Sequence, residues 1–247
     1  MIEIKNLIKR YGDKVVLNDL NFTIKDGEIF SIMGPSGTGK STFLKCLIGL
    51  VKPDGGSIKI DGFDIVSNRK EMELHNIRKK MGYLFQEGAL FDSLSVWENV
   101  SFGLKYLTDI EKEKFFDIAK EKLELVGLKK CEYLKINELS GGMKKRVALA
   151  RAISASPRYL LYDEPTTGLD PVTAEMIISL IKEMSDKLEI TSIIVTHDVK
   201  LAISISHRLA LLHNGKFIFI GSTEELKKCE NKIVKEFVND AILEFKG

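Results

Sequence analysis

A glycine-rich segment near the start of the chain constrains the fold more than any other feature. Residues 34–41 read Gly-Pro-Ser-Gly-Thr-Gly-Lys-Ser and satisfy the pattern G-x-x-x-x-G-K-[ST]. An apolar run at residues 29–33 precedes the segment, and a helical pattern at 41–48 follows it and stops at Gly49. A loop between a strand and a helix points its backbone N–H groups and the helix dipole at one anion. We therefore expect a polyphosphate site, with Lys40 on the phosphates and Ser41 as an oxygen ligand of Mg²⁺.

The composition is that of an ordinary globular protein. Of 247 residues, 44% are hydrophobic and 29% are charged, and 37 basic against 35 acidic side chains leave a net charge of +2. This charge is too small to steer the chain onto DNA or RNA, so we expect no nucleic-acid partner. Cys46, Cys131 and Cys229 are odd in number and lack metal-ligand spacing, which favours a reducing cytosol. We expect no secretion signal and no membrane span, so that any membrane role needs a partner protein.

Strand and helix patterns alternate along the chain. Up to about residue 85 the pattern is rich in strands, with Leu20, Phe22 and Ile24 alternating with polar residues. Residues from about 93 to 154 show helical periodicity and mixed charge, which indicates a helical insert. Strand patterns return at 159–162, 191–196, 209–212 and 216–220, with a helix at about 171–188. This alternation predicts a parallel sheet covered by helices on both faces.

The end of the chain has a one-sided helical pattern. Its apolar stripe consists of Ile233, Val234, Phe237, Val238, Ala241, Ile242 and Phe245. The stripe either packs on the core of the same chain or binds another subunit. We favour the second alternative, because a segment at the chain end is free to reach outward.

Two acidic residues follow the apolar strand pattern at 159–162. Asp163 and Glu164 stand at the carboxyl end of that strand, where α/β sheets bind their ligands. Asp163 can hold Mg²⁺, and Glu164 can orient and deprotonate an attacking water. An apolar strand that ends in acidic residues is common by itself. The functional interpretation of this pair depends on the phosphate loop elsewhere in the chain.

A second anion-binding pattern is present in Ser140-Gly141-Gly142 at the start of a helical run. A capping hydroxyl, backbone N–H groups and the helix dipole suit a phosphate, although a capped helix without any ligand is the simpler alternative. Two phosphate sites beside one carboxylate pair suggest that two copies of the chain hold one nucleotide from both sides.

Together, the three segments resemble the ABC transporter ATPase family across nearly the whole chain. Residues 34–41 resemble its Walker A loop, Asp163-Glu164 the end of Walker B, and residues 139–143 its signature. The resemblance implies an α/β fold: a RecA-like P-loop NTPase core with an antiparallel β-flank and an inserted helical subdomain. It assigns residues 1–86 and 157–222 to the core with its flank, 87–156 to the helical subdomain and 223–247 to a C-terminal helical extension of one domain. It also implies ATP hydrolysis with ATP and Mg²⁺.

Further family motifs follow in the same order. Tyr11 resembles the aromatic residue that stacks on adenine, although a surface tyrosine is the alternative. Gln86 resembles the Q-loop glutamine, Asp170 belongs to a segment like the D-loop, and His197 resembles the switch histidine that bonds the γ-phosphate. Met143 departs from the family, where many members carry glutamine. This change removes a side-chain amide and no backbone donor, so we expect nucleotide binding to survive.

The resemblance thus implies three sets of site residues. The catalytic set is Lys40, Gln86, Glu164 and His197. The metal set is Ser41, Gln86 and Asp163. The nucleotide-binding set is Tyr11, Gly34, Pro35, Ser36, Gly37, Thr38, Gly39, Lys40, Ser41, Thr42, Ser140, Gly141, Gly142 and Asp170.

Two stretches, residues 87–100 and 140–146, resemble the ATPases of bacterial phospholipid transporters that maintain outer-membrane lipid asymmetry. That resemblance implies an integral membrane permease, a second copy of the chain in a head-to-tail dimer, and proteins of the mammalian-cell-entry type with small accessory subunits. It places the chain on the cytoplasmic face of the inner membrane. Ala89, Leu90, Phe91 and Trp97 could receive a helix of the permease or pack in the core.

Other functions remain as alternatives. An amino-acid or metal importer is the nearest one. A soluble ABC protein of translation or DNA repair is disfavoured, because those relatives carry paired cassettes or long coiled-coil insertions. The signature and His197 count against a P-loop kinase or GTPase.

Overall fold

The chain folds into two β-sheets and ten α-helices across the described part. The computed structural model describes the backbone of residues 1–68 and 70–243, and the side chains of these residues as far as 239. In chain order the elements are β1 (Ile2–Tyr11), β2 (Lys14–Ile24), β3 (Ile29–Met33), α1 (Lys40–Leu47), β4 (Gly55–Ile60), β5 (Phe63–Asp64), α2 (Glu71–Arg78), β6 (Met81–Leu84), α3 (Val96–Ser101), α4 (Leu104–Leu107), α5 (Phe115–Leu125), α6 (Gly141–Ile153), β7 (Tyr159–Asp163), α7 (Pro171–Leu188), β8 (Thr191–Thr196), α8 (Val199–Ile205), β9 (Arg208–His213), β10 (Lys216–Gly221), α9 (Thr223–Lys227) and α10 (Lys232–Leu243).

The first sheet is antiparallel and has the strand order β2-β1-β4-β5. Leu20, Phe22 and Ile24 of β2 are buried, as their alternation with polar residues predicts. Phe22 stacks on Phe30 of the second sheet with ring centroids 5.3 Å apart, so the two sheets share a core. This sheet is the predicted antiparallel flank.

The second sheet carries the functional end of the molecule. Its order is β10-β9-β3-β8-β7-β6, and all neighbours are parallel except β10 and β9. Every residue of β3, β7 and β8 is buried, because helices cover one face of these central strands and α1 with the first sheet covers the other. The sequence predicts helices on both faces, and the first sheet takes part of that place. The predicted strands and the α/β class with its parallel sheet are confirmed.

Helices α3 to α6 fill the segment predicted to be a helical insert. Val100, Leu123 and Val147 form a core between α3, α5 and α6, and this core continues to Leu84 and Tyr162 in the sheet. Leu90 and Trp97 pack against the same cluster, which supports the core-packing alternative for these two residues. Phe91 is 41% exposed and remains available to a partner. Within the described residues, no helix combines the length and apolar character that crossing a membrane requires.

The start of the C-terminal stripe packs on its own chain. Val234 in α10 is 1% exposed and lies in a cluster with Met33 and Val199, and Phe237 and Val238 pack against that cluster. Our preference for an interface with another subunit is therefore wrong for these three residues, because β9 and α8 offer them an apolar surface within the chain. The side chains of Ala241 and Ile242, and all of Phe245, lie outside the described part.

Candidate functional site

The carboxyl ends of β3, β7 and β8 meet at one edge of the second sheet, and a cavity of about 500 Å³ opens there. Parallel strands place their carboxyl ends together, so loops that are distant in sequence share this edge. The cavity is lined by Tyr11, Lys14, Val16, Ser36, Gly37, Gly39, Lys40, Ser41, Thr42, Gln86, Glu164, Thr167 and His197.

The loop at residues 34–39 connects β3 to α1 in a conformation that depends on glycine. Gly39 caps the start of α1 with φ 106°, and a Cβ atom there would lie 2.6 Å from Cγ1 of Val16. Thr38 steadies the loop by donating from Oγ1 to the carbonyl of Pro35 at 2.8 Å. Since the loop opens directly onto the start of α1, it has the shape of the phosphate cradle that the sequence predicts.

Lys40 places its ammonium group inside this cradle. The residue is 5% exposed, and its Nζ donates to the carbonyls of Gly34 at 2.7 Å and Pro35 at 3.0 Å. Oε1 of Glu164 lies 3.3 Å from the same nitrogen. Burial lowers the pKa of Lys40, while the negative charges of Glu164 and Asp163 act in the opposite direction. The ammonium is a nearly desolvated charge in the wall of the cavity, which suits it to a phosphate.

Ser41 and Asp163 bring two oxygen ligands together. Oγ of Ser41 donates to Oδ1 of Asp163 at 2.7 Å, although 122 residues separate the two. A hydroxyl and a carboxylate at this spacing are the hard oxygen donors that Mg²⁺ takes from a protein when phosphates and water supply its remaining ligands. The residues present therefore fit the predicted metal.

Tyr83 is a part of this site that the sequence analysis missed. Its hydroxyl donates to Oδ2 of Asp163 at 2.9 Å, from the neighbouring strand β6. Burial raises the pKa of Tyr83, and the negative charge of Asp163 raises it further, so the hydroxyl stays protonated and remains a donor. Tyr83 thus fixes the carboxylate whose other oxygen faces Ser41.

Glu164 stands where β7 ends and has the unusual φ of +49°. Its Oε2 lies 2.8 Å from Nδ1 of His197 and accepts the backbone N–H of His197 at 3.2 Å. Thr167 donates its hydroxyl to the same oxygen at 3.4 Å. The side chain of Glu164 is 9% exposed and that of His197 is 51% exposed, so the histidine faces the open part of the cavity. The carboxylate is held between Lys40 and His197.

Two predicted residues form the rim of the cavity. Tyr11 is 51% exposed and lines it, with Nζ of Lys9 5.1 Å from the centre of its ring. Gln86 is exposed and lines it from the loop after β6. Both positions are open to a ligand that fills the cavity.

Four residues of the predicted nucleotide-binding set lie elsewhere in the chain. Ser140 caps α6 by accepting the backbone N–H of Met143 at 3.3 Å, and a Cβ atom on Gly142 would lie 2.6 Å from Cγ2 of Thr173 in α7. Asp170 caps α7 and accepts the hydroxyl of Thr173 at 2.6 Å, which is the main cause that lowers its pKa. Neither these three residues nor Gly141 belong to the described lining of the cavity. A single chain therefore does not join the signature to its own phosphate loop.

A glycine loop between a buried strand and a helix, faced by two carboxylates at the end of another parallel strand of the same sheet, defines a P-loop nucleotide hydrolase. The family model described as ABC transporter matches residues 17–167 of the chain. The chain is also 43% identical over 240 residues to the intermembrane phospholipid transport system ATP-binding protein MlaF of Haemophilus influenzae, covering 96% of this chain and 90% of that protein. The chain belongs to the ABC transporter family.

Two further similarities bear on function. The chain is 41% identical over 238 residues to the probable ribonucleotide transport ATP-binding protein mkl of Mycobacterium leprae, covering 96% of this chain and 68% of that protein. Among solved structures, a dimeric post-hydrolysis state of an ATP-binding cassette bound to ADP and Pi matches with a TM-score of 0.83 at 35% identity, covering 90% of this chain and 99% of that one. The RecA-like cassette predicted from the sequence is confirmed.

Proposed function

We propose that this chain is the ATP-hydrolysing subunit of a transporter that moves phospholipid, and that the cavity at the end of β3 and β7 is its hydrolytic site. One observation carries the proposal: three separate parts of the sequence bring Lys40, Ser41, Glu164 and His197 to one cavity, and Asp163 joins them through its hydrogen bond with Ser41. Each has the chemistry that phosphoryl transfer to water requires, namely a cation, oxygen ligands, a base and a donor.

The residues divide the work by position. Lys40 balances the charge on the phosphates, and the backbone of residues 34–39 orients them. Ser41, Asp163 and Gln86 hold Mg²⁺, which when bound supplies positive charge to the phosphate oxygens. Glu164 accepts the proton of the attacking water, since its carboxylate faces the cavity. His197 orients Glu164 and donates to the terminal phosphate.

A second copy of the chain completes the site in this proposal. Ser140, Gly141 and Gly142 start α6 outside the cavity of their own chain, with their N–H groups and helix dipole unused by it. A head-to-tail pair would place this helix start, together with the D-loop residue Asp170, against the nucleotide of the partner. The dimeric form of the similar cassette that holds ADP and Pi supports this arrangement.

An integral membrane permease is the second partner that we propose. A groove of about 380 Å³ lies beside the loop after Gln86, lined among others by Phe85, Ala89, Phe91 and Phe102. The rings of Phe91 and Phe102 are in contact, with centroids 4.5 Å apart, and both are about 40% exposed: 41% and 39%. An apolar groove of this size fits a short helix of a permease on the cytoplasmic face of the inner membrane. Proteins of the mammalian-cell-entry type and small accessory subunits, which the resemblance of residues 87–100 and 140–146 implies, are the further partners that we propose.

The transported molecule is tested by reconstitution. The chain and the permease that co-purifies with it are placed in liposomes, and ATP-dependent movement of labelled phospholipid is compared with uptake of a ribonucleotide, an amino acid and a metal ion. Movement of phospholipid alone supports the proposal. Ribonucleotide uptake without lipid movement would favour the function named for the mycobacterial relative, and amino-acid or metal uptake would favour an importer.

The nucleotide site is tested separately by Lys40→Ala. This variant deletes the ammonium that lines the cavity, so we expect calorimetry to show the loss of most ATP affinity, by roughly a hundredfold. Lys14→Ala, at the rim of the same cavity, is the matched control, and its affinity should change far less. Equal affinities of wild type and Lys40→Ala would refute the phosphate-site assignment.

A further inference from the structure

Lys145 is a buried lysine in the second turn of α6, and none of the site motifs includes it. The residue is 5% exposed. Its ammonium donates to the backbone carbonyl of Gln86 at 2.5 Å and reaches the carbonyl of Glu164 at 3.5 Å. Through one nitrogen, Lys145 therefore links α6 to the loop of Gln86 and to the end of β7.

The energetics of this position favour a role for the ammonium itself. Removing an ammonium from water is costly, and an apolar side chain of similar length would fill the same volume at lower free energy. Burial lowers the pKa of Lys145, while the charges of Glu87, Asp163 and Glu164 oppose that change. Compared with an apolar side chain, Lys145 adds hydrogen-bond donors for two main-chain carbonyls. These bonds fix the backbone of Gln86 and Glu164.

Arg151 shows that α6 holds the loop after β6 at a second point. Its Nη1 donates to the carbonyl of Ala89 at 2.6 Å and its Nη2 to that of Gly88 at 2.5 Å. Residues 86–89 are thereby attached to α6 at both ends. Of the two cations, Lys145 alone also reaches Glu164 among the contacts in the described chain.

We propose that Lys145 is a positioning residue for hydrolysis, which fixes the main chain of Gln86 and Glu164 to α6. The inference rests on the proposed roles of Gln86 and Glu164. A shift of α6, whose first residue follows Ser140, is then transmitted through the ammonium to the two residues that act on the metal and the attacking water. Among the described residues, no hydrogen bond or ion pair joins Lys145 to residues 34–41 of the phosphate cradle. A change at Lys145 should therefore affect hydrolysis and leave ATP binding nearly unchanged.

Lys145→Met tests the proposal because it keeps the length of the side chain and removes the donors. We expect kcat to fall roughly tenfold or more, since small displacements of reacting groups have effects of this size. KM and the Kd for ATP should stay within about threefold of wild type, which marks a loss confined to the hydrolytic step. Lys145→Arg, which restores charged donors, should recover most of the lost kcat. Lys120→Met removes the same charge from an exposed site on α5 and should match wild type.

Thermal unfolding is recorded for each variant. If Lys145→Met does not fold, Lys145→Gln takes its place, because its shorter amide cannot reach both carbonyls. A wild-type kcat in the variant without the ammonium would overturn the proposal. The proposal would also be wrong if ATP affinity fell by the same factor as kcat and Lys145→Arg restored neither. Lys145 would then only support the fold. Glu164→Gln separates the two proposals: if it hydrolyses ATP normally, the role of Glu164 fails, whereas its inactivity beside an active Lys145→Met refutes only the positioning role.

Discussion

Nζ of Lys40 and Oε1 of Glu164 lie 3.3 Å apart, with both side chains nearly buried. The base proposed for hydrolysis is thus paired with the cation proposed for the phosphates. A phosphate group that enters the cradle competes with Glu164 for this ammonium. We therefore expect binding of the nucleotide to release the carboxylate toward the water that it is proposed to activate.

Glu164→Gln separates binding from hydrolysis. The amide is neutral, so it cannot accept a proton and competes less with phosphate for Lys40. We expect turnover to fall by roughly a hundredfold or more, while the Kd for ATP stays equal to or below that of wild type. The variant should also accumulate an ATP-dependent dimer, seen by size-exclusion chromatography. Glu121→Gln, at a side chain 63% exposed on α5, is the control; wild-type turnover in Glu164→Gln would mean that another group is the base.

Tyr83→Phe should weaken the response to Mg²⁺. The change removes the donor that holds Oδ2 of Asp163 and leaves the ring in place. Partners of metal ligands affect metal affinity by about tenfold or more, so we expect the Mg²⁺ concentration that half-saturates ATP binding to rise roughly tenfold. Fluorescent-nucleotide titrations with and without Mg²⁺ measure this. Tyr133→Phe, at a residue 73% exposed, should behave as wild type. If Tyr83→Phe left the Mg²⁺ dependence of ATP binding unchanged, Tyr83 would have no role in positioning the metal ligand Asp163.

Val234→Ala should reveal how far the C-terminal helix supports its own chain. Val234 is 1% exposed, whereas its neighbour Ile233 is 42% exposed. Truncating the buried side chain should lower the free energy of unfolding by about 2 kcal/mol, and Ile233→Ala should change it by less than about 0.5 kcal/mol. Urea unfolding at low protein concentration gives both values. If both substitutions changed the free energy of unfolding by the same small amount, the helix would instead belong to an interface with another subunit. A stable monomer after truncation after Lys232 would lead to the same conclusion.

Asp61→Asn should reduce the dependence of stability on pH. Burial alone would raise the pKa of Asp61, but hydrogen bonds from Lys80 at 2.9 Å and Tyr159 at 2.5 Å, with the charge of Lys80, hold it well below its usual range. Because folding lowers this pKa, the contribution is complete above the unfolded value of about 4 and is lost as the pH falls below it.

Because the side chain of Lys80 is 44% exposed, solvent screening limits the effect to about 1 kcal/mol at pH 7. Urea unfolding at pH 7 and pH 3.5, roughly on either side of the unfolded carboxyl pKa, should show a smaller difference for Asp61→Asn than for wild type. An identical difference in the two proteins would show that Asp61 is not one of the carboxylates responsible.

The sequence predicts those parts of the fold and site whose residues lie in one contiguous segment with a recognisable pattern. The cradle at residues 34–41 and the acids Asp163 and Glu164 are contiguous, and their strands are apolar runs, so the α/β class and the phosphate side of the cavity follow from local patterns. Tyr11, Gln86 and His197 follow only from the family resemblance. Tyr83 and Lys145 could not be found that way. A tyrosine in a strand is typical of a half-buried sheet residue, and its contact with Asp163 depends on the parallel register of β6 with β7. Lys145 follows another lysine and precedes an arginine, which reads as a solvated helix face, and only the packing of α6 buries it.

The hydrogen bond from Ser41 to Asp163 also bears on folding during synthesis. The ribosome releases the phosphate cradle 122 residues before the carboxylate that faces it, and β8 with His197 emerges later still. Long-range sheet contacts of this kind form late, after loop closure has been overcome. A nascent chain that stops within the helices α3 to α6 has the cradle without Asp163 or Glu164. Such an incomplete chain should bind ATP weakly. The nucleotide can therefore stabilise the finished chain, and a polypeptide cut short by premature termination lacks that protection against proteases.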